Sequence, residues 1–320
     1  MTILGGMFEN ERAVCPSEFP PILKAMRWLG RQNWIPRGRQ RLLALLWDPY
    51  REKHFPFEVD FFGRRYRGDL AHSIDWMVLV YGSYAYFELS LLKELTLSFK
   101  HGQQRVNFFD IGANKGNHTL FMADIADRVF AFEPFPGVLA AIDDKVSLNG
   151  LTNVQVIRTA LGDVDSDLSY FPGAGGNPGK GTFISNPGSG FHEPVTLPVR
   201  NGDRLFDELG LPQLDIVKLD VEGYEAFVLR GLSSHLNRDR PAIVMEWSAM
   251  SRRTVTSESD FRSLFYDDAV FAEVRGRPGC PFRLRPFEYS TTHELLVLPA
   301  ERAGFIQDRL RHPFPRYRRA

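Results

Sequence analysis

Residues 218–225 read KLDVEGYE. Lys218, Asp220 and Glu222 alternate with Leu219 and Val221; Asp220 is read as ending its strand and Glu222 as following in the turn, and were the extended backbone to continue, all three side chains would share one face. Two carboxylates this close divide two tasks, one anchoring a substrate or cofactor and the other accepting a proton as general base. With Glu246 of PAIVMEW, residues 241–247, they also have the oxygen chemistry of a divalent-cation site. No dedicated ligand spacing accompanies them, and no metal is expected. The purely structural alternative is a buried Lys–Asp ion pair that closes a strand. It weighs equally with function for Lys218 and less for Asp220 and Glu222.

The second stretch is FFDIGANKGNHT, residues 108–119. An apolar run ends in Asp110, and two glycines four apart follow. Gly112 lets backbone approach a ligand closely. Gly116 stands at a helix start, where free N–H groups favour an anionic group. Asn114 tolerates positive φ better than most residues and keeps an amide. A dinucleotide fingerprint, G-x-G-x-x-G, would place glycines at 112, 114 and 117. Asn114 and Asn117 stand at two of these, which disfavours a pyrophosphate. Glu133 ends the next apolar run 21 residues after Gly112, placed to accept both hydroxyls of a ribose. A nucleoside without phosphates, joined to an amino acid, describes S-adenosylmethionine.

These residues need a parallel sheet to gather them. VNFFDI, RVFAFE, NVQVIRTA, LDIVKLD and PAIVMEW read as strands, apolar enough to be buried on both faces. NHTLFMADIA, VLAAIDDKVSLNG and YEAFVLRGL read as intervening helices, the second capped by Gly150. This alternation predicts a doubly wound α/β domain, completed by VFAEVRG at 270–276 and HELLVLP at 293–299. SYAYFELSLLKELTLSF, 83–99, has helical spacing and leads into it. Upstream, RQRLLALLW at 39–47 reads as a helix stopped by Pro49, and FEVDFFGRRYRGD at 57–69 as a β-hairpin. The expected organisation is an extension over 1–82, a domain over 83–300 and a basic tail over 301–320.

One segment interrupts the alternation. Residues 172–190 hold seven glycines and three prolines, which excludes regular structure and predicts a mobile loop beside the site or a surface insertion. GNPGKGT within it imitates a phosphate loop. That motif requires Gly where Ala174 stands and Ser or Thr where Gly181 stands, so it is rejected.

The bulk numbers are those of an ordinary globular chain: 320 residues, 43% hydrophobic, 24% charged and zero formal net charge. Neutrality gives no sign of a nucleic-acid partner. Charge is uneven, however. Six basic residues and no acid lie between Lys24 and Arg41, and five arginines and no acid between Arg309 and Arg319. These termini suit an acidic saccharide, a membrane surface or a partner subunit. Trp28 and Trp34 inside the first segment favour packing or an interface, including a homo-oligomer through the extension. Cys15 and Cys280 have no metal or disulfide spacing. No run approaches the roughly 18 apolar residues of a membrane helix; WMVLVYGSYAYF, 76–87, is too short. No secretion signal is evident, and a reduced, cytoplasmic setting is expected.

Taken in order, DIGANKGNHT, AFEP, NGLTNVQVIRTALGD, LDIVKLDVEGYEAFVLRG and RPAIVMEW resemble the FkbM-type methyltransferases over residues 83–250. The resemblance implies a Rossmann-like class I methyltransferase fold, S-adenosylmethionine as donor, and a hydroxyl of a sugar, polysaccharide or natural product as acceptor. It places Asp110, Gly112, Asn114, Gly116, Thr119 and Glu133 on the donor-binding motif and Ala160 near the adenine. Thr159 and Ala160 stand where related enzymes often read the adenine amine with an acid. Glu88, after the aromatic of YFELS, is implied to reach the donor's amino group. His118 is read as a packing or capping residue, and His192 as an exposed loop residue or a base on the acceptor side. The rival readings are an NAD-dependent oxidoreductase, which shares Glu133 but lacks the glycine fingerprint, and a non-catalytic scaffold, which has no use for the acids of LDVEGYE.

Overall fold

The computed structural model describes residues 13–32, 39–47, 54–102, 105–174, 179–185, 190–276 and 280–311. Trp34, residues 175–178 and 186–189 of the glycine-rich segment, and residues 312–320 of the basic tail lie outside them. The described residues form two compact units, 13–84 and 85–311.

The first unit opens with α1 (Pro21–Gly30), which starts on a proline whose missing N–H a first turn tolerates. Leu23 and Met26 turn inward with Gly30, where a Cβ would come within 2.3 Å of the Val80 carbonyl oxygen. After α2 (Arg39–Leu46), β1 (Pro56–Phe61) and β2 (Arg64–Asp69) pair as the expected hairpin. Its two turn residues, Phe62 and Gly63, both have positive φ, the geometry that matches strand twist. Phe57, Val59, Phe61 and Tyr66 are buried beside α3 (Ser73–Tyr81), and the Tyr66 hydroxyl donates to Asp75 Oδ1 at 2.7 Å.

The second unit begins with α4 (Tyr86–Lys100), then β3 (Asn107–Ile111), α5 (Asn117–Met122), β4 (Arg128–Phe132), α6 (Pro136–Leu148) and β5 (Val154–Ile157). β6 (Ala160–Gly162), β7 (Ser166–Tyr170) and β8 (Val195–Asn201) follow, then α7 (Gly202–Leu209), β9 (Ile216–Leu219), α8 (Glu225–Gly231), α9 (Ser233–Asp239) and β10 (Ala242–Glu246). The chain finishes with α10 (Glu258–Arg262), β11 (Ala269–Arg275), β12 (Arg283–Pro286), β13 (Glu294–Pro299) and α11 (Ala303–Arg311). The main sheet runs β12-β11-β13-β10-β9-β3-β4-β5. The five strands from β10 to β5 are parallel, and β13, β11 and β12 add an antiparallel edge.

Every residue of β3 and β9 is buried, as their apolar sequences require of central strands covered on both faces. Phe109 stacks on Phe130 at 4.8 Å and on Phe206 of α7 at 5.4 Å. From β3 the chain winds outward to β4 and β5, and from β9 it winds the other way to β10. Strand order therefore reverses between β3 and β9. In such sheets the crevice beyond the carboxyl ends at the reversal receives the ligand.

NVQVIRTA is not one strand, as the sequence suggested. β5 stops at Ile157, whose carbonyl accepts from both Glu133 N and Thr159 N. The chain then enters a separate sheet, β6-β8-β7. Its strands β7 and β8 flank the glycine-rich segment. Pro198, inside β8, hides the latter from pattern reading.

Candidate active site

The β3–α5 loop is held by its own backbone. Gly112 N and Ala113 N both donate to Phe132 O at 3.0 Å, tying the end of β3 to that of β4. Gly112 has φ +83°, and a Cβ there would lie 1.9 Å from the Asp220 carbonyl oxygen. Asp220 N in turn donates to Ile111 O at 3.0 Å. Glycine is thus required here because the β9 turn presses on the β3 turn, a reason distinct from close approach of a ligand. Asn114 takes up φ +50°, the left-handed conformation that asparagine tolerates. Its backbone N–H donates to Glu133 Oε2 at 2.9 Å, and Phe135 N donates to Oε1 at the same distance. Gly116, φ +75°, starts α5 where it packs on Ile142 of α6.

Beneath this loop lies a charged hub. Lys218 Nζ donates to Asp220 Oδ2 at 3.2 Å and Gly112 O at 3.3 Å, and stands 3.9 Å from Asp110 Oδ1. Asp110 is fully buried, and its Oδ2 accepts from Thr119 Oγ1 at 2.6 Å. Burial disfavours the Lys218 ammonium, but the charges of Asp220, Asp110 and Glu88 outweigh it and raise its pKa. Glu88 pairs with His118, Oε2 to Nε2 at 3.1 Å, with both residues buried.

Above the loop a cleft opens between the strand ends. Gly112, Asn114, Glu133, Ala160, Asp220 and Glu222 line it. Asp110, Gly116, Thr119, Lys218 and Glu88 do not; they support the lining from behind. His192 is exposed and outside it. Lys218, Asp220 and Glu222 do not continue one strand, because β9 ends at Leu219 and Glu222 has φ +51°. Left-handed backbone in glutamate costs about 1–3 kcal/mol and clusters at functional sites. The next residue, Gly223, also has positive φ, and a Cβ on it would meet Met250 Cγ at 2.6 Å.

Sequence reading missed the cleft's aromatic wall. Tyr170, at the end of β7, packs against Phe135 and Phe183, with ring centroids 5.3 and 5.1 Å away. Phe183 belongs to the glycine-rich segment, which reaches the cleft through Gly179 and Gly181. A Cβ on Gly179 would fall 2.0 Å from Asn114 Oδ1, and one on Gly181 2.2 Å from Tyr170 Cζ. The only sequence signal was an aromatic just before and within a run of glycines. Lys180, set aside with the phosphate-loop imitation, is exposed, and its charge acts on Glu222 and Glu246.

Acids also meet where β10 and β13 pair. β10 and β13 pair Glu246 directly with Glu294, an arrangement of like charges that is unfavourable unless a proton or cation intervenes. Glu246 Oε2 is buried and makes no hydrogen bond among the described residues. Burial first, then the charges of Asp220 and other carboxylates, raises Glu222 to about 8 and Glu246 to about 9. Glu294 is raised well above its ordinary value by burial and by Glu88. Glu133 rises to about 7, again by burial, against the pull of its two N–H donors. Free carboxylates titrate near 4.3. Between about pH 5 and 9 the folded chain therefore binds more protons than the unfolded chain, and stability falls as pH rises. Calorimetry of the ligand-free protein should show a steadily falling Tm across that range. A flat or rising Tm would mean that these acids are already charged in the fold.

Three comparisons bear on this geometry. The "Hexuronic acid methyltransferase AglP" of Haloferax volcanii is 30% identical over 149 residues, 46% of this chain and 59% of that protein. The "2-O-methyltransferase NoeI" of Sinorhizobium fredii is 25% identical over 145 residues, 41% of this chain and 59% of its own length. The matched stretch thus spans under two thirds of either relative. The crystal structure of "Methyltransferase FkbM" from Methylobacillus flagellatus KT superposes with a TM-score of 0.39 at 14% identity, covering 87% of this chain and 58% of that one. The family described as "Methyltransferase FkbM domain" matches residues 110–272, just over half of the chain. The protein belongs to the FkbM methyltransferase family.

Proposed function

We propose that residues 85–311 form an S-adenosylmethionine-dependent O-methyltransferase acting on a hydroxyl of a sugar-containing acceptor. The observation that carries this reading is the charge of the cleft. At the point of strand reversal Glu133, Asp220 and Glu222 line one crevice, and the buried cation beneath them, Lys218, is already paired. Two phosphates of a dinucleotide would meet carboxylates there. A donor bearing a sulfonium and an ammonium meets complementary charge. The names of the Haloferax and Sinorhizobium relatives support a uronic-acid sugar and an oxygen nucleophile as the acceptor chemistry.

The residues present fit such a donor. Each Glu133 oxygen accepts one backbone N–H and keeps capacity for a ribose hydroxyl. Tyr170, Phe183, Leu161 and Ala160 offer apolar and aromatic surface suited to a purine. Thr159 Oγ is engaged with Pro198 O at 3.2 Å, so this surface selects by shape more than by an acid reading the amine. When bound, S-adenosylmethionine supplies a methyl carbon already activated by positive sulfur. The chain then aligns the acceptor oxygen, an effect worth about 7–11 kcal/mol in favourable systems. Glu222, which lines the crevice with a pKa of about 8, would take the hydroxyl proton as the acceptor oxygen gains the methyl group and the sulfur–methyl bond breaks, leaving the donor as the neutral thioether. Asp220 orients the acceptor. Lys218, Asp110, Thr119 and Gly116 hold the loop that carries these groups, and Glu88 acts through its pairing with His118.

Titration calorimetry tests the donor, and mass spectrometry with labelled donor over uronic acids, neutral sugars and glycolipids tests the acceptor. The reading expects micromolar or tighter binding of S-adenosylhomocysteine, none of NAD, and label on an acceptor oxygen. NAD binding with no response to S-adenosylhomocysteine would make the chain an oxidoreductase.

A further inference from the structure

Six of the ten large apolar side chains left exposed among the described residues belong to the N-terminal unit: Ile22, Trp28, Leu42, Leu45, Leu46 and Phe62. Scattered singly they would need no explanation. Five of the six are concentrated instead in two helices. On α1, Ile22, Ala25, Trp28 and Leu29 share one stripe by their spacing, with Trp28 60% exposed, while Leu23 and Met26 occupy the buried face. On α2, Leu42, Leu45 and Leu46 repeat at helical spacing, and Leu45 is 84% exposed. Positive charge accompanies the stripe on α1. Lys24, Arg27 and Arg31 take the angular sector of α1 beside the apolar one, and the six basic residues from Lys24 to Arg41 have no acid among them. Across residues 13–84 there are eleven Lys and Arg against seven Asp and Glu, in a chain whose total is zero. The family match begins only at residue 110, so the methyltransferase domain does not account for this surface.

We infer that α1 and α2 seat the N-terminal unit on an anionic lipid surface. Tryptophan and leucine flanked by lysine and arginine are the side chains that enter the headgroup boundary while their cations meet lipid phosphates. The competing occupants fit less well. A second copy of the chain would bring a second positive segment against the first. A nucleic acid or acidic saccharide would satisfy the arginines and leave the leucines wet. Among the described residues no helix is long and apolar enough to cross a membrane, and the attachment inferred for α1 and α2 is peripheral and reversible.

The test is co-sedimentation of the full chain with phosphatidylcholine vesicles, with and without phosphatidylglycerol, at low and high salt. Binding is expected only with phosphatidylglycerol, and salt should weaken it as screening shortens from about 10 Å at 0.1 M towards about 3 Å at 1 M. Trp28→Ser combined with Leu45→Ser should lower the bound-to-free ratio at least tenfold with the Tm unchanged, since both side chains face solvent. Absence of binding at low salt, or equal binding by the double variant, would overturn the inference. So would a dimer at sedimentation equilibrium that the double variant converts to monomer, since the surface would then belong to a second copy.

Discussion

Glu222→Gln should lower kcat for methyl transfer by about 10²–10⁴-fold, the usual worth of a positioned base, with S-adenosylhomocysteine affinity within a few-fold of the parent. The amide keeps the volume and the backbone turn but cannot take the hydroxyl proton. The parent enzyme carries a second signature. Its base is raised to about 8 by burial and by the Asp220 charge, and a base works only when deprotonated, so kcat should climb as pH rises through about 8. In Glu222→Gln that climb should disappear along with the rate. Asp220→Asn should act differently, raising KM for the acceptor more than it lowers kcat, because Asp220 is assigned to orientation. A Glu222→Gln enzyme within twofold of the parent at every pH would remove the base from this turn and direct attention to Glu246. That residue is a second carboxyl raised by burial and by Asp220, and it ends the parallel strand next to β9.

The opposite consequences of pH for rate and stability follow from the same acids. On the proposed mechanism ionising Glu222 enables the reaction, yet ionising Glu133, Glu222 and Glu246 without a ligand's compensating charge weakens the fold. A sulfonium donor brings cations to the place where these charges form. Its stabilising effect should therefore exceed that of the uncharged-sulfur product, and the gap should widen towards alkaline pH.

Much of this site was legible in the sequence because it depends on strand ends. A buried parallel strand is a continuous apolar run, and the residue that ends it stands at the ligand edge of the sheet. Asp110, Glu133, Asp220 and Glu246 could be placed on that rule. Asn114 was legible too, since its chemistry matches the φ of +50° that the loop adopts. Contacts distant in sequence were not. The clash that makes Gly112 obligatory is with a carbonyl more than a hundred residues away, and local spacing carries no trace of it. Tyr170 and Phe183 reach the cleft only through a small second sheet, whose strand β8 contains a proline and resembles a loop. Glu294 was read only as part of HELLVLP, one of the domain's last strands. Its importance comes from register, which sets it opposite Glu246. Glu222 was expected in the turn that follows the strand of Asp220, and it lies there; what local spacing did not carry is its left-handed backbone, a conformation that its residue type disfavours.

Lys218 separates a supporting role from a chemical one, and its removal should have the largest effect on stability. Lys218→Met takes the ammonium from between Asp110, fully buried, and Asp220. Removing one partner of a buried ion pair typically costs 3–5 kcal/mol, because the remaining charge stays desolvated and unpaired. About that loss is expected by urea unfolding at neutral pH, and with it weaker donor binding, since Lys218 also donates to the Gly112 carbonyl. Adding Asp110→Asn discharges the more deeply buried of the two acids and leaves Thr119 a partner. The double variant should regain a substantial part of the lost stability and donor affinity. A lysine that served the chemistry directly would behave otherwise: Lys218→Met would fold and bind donor normally while losing kcat, and Asp110→Asn would restore nothing. The two outcomes differ for both variants, loss and then recovery against neither, so one unfolding series and one donor titration decide between an ammonium that holds the β3 and β9 turns together and one that meets the acceptor.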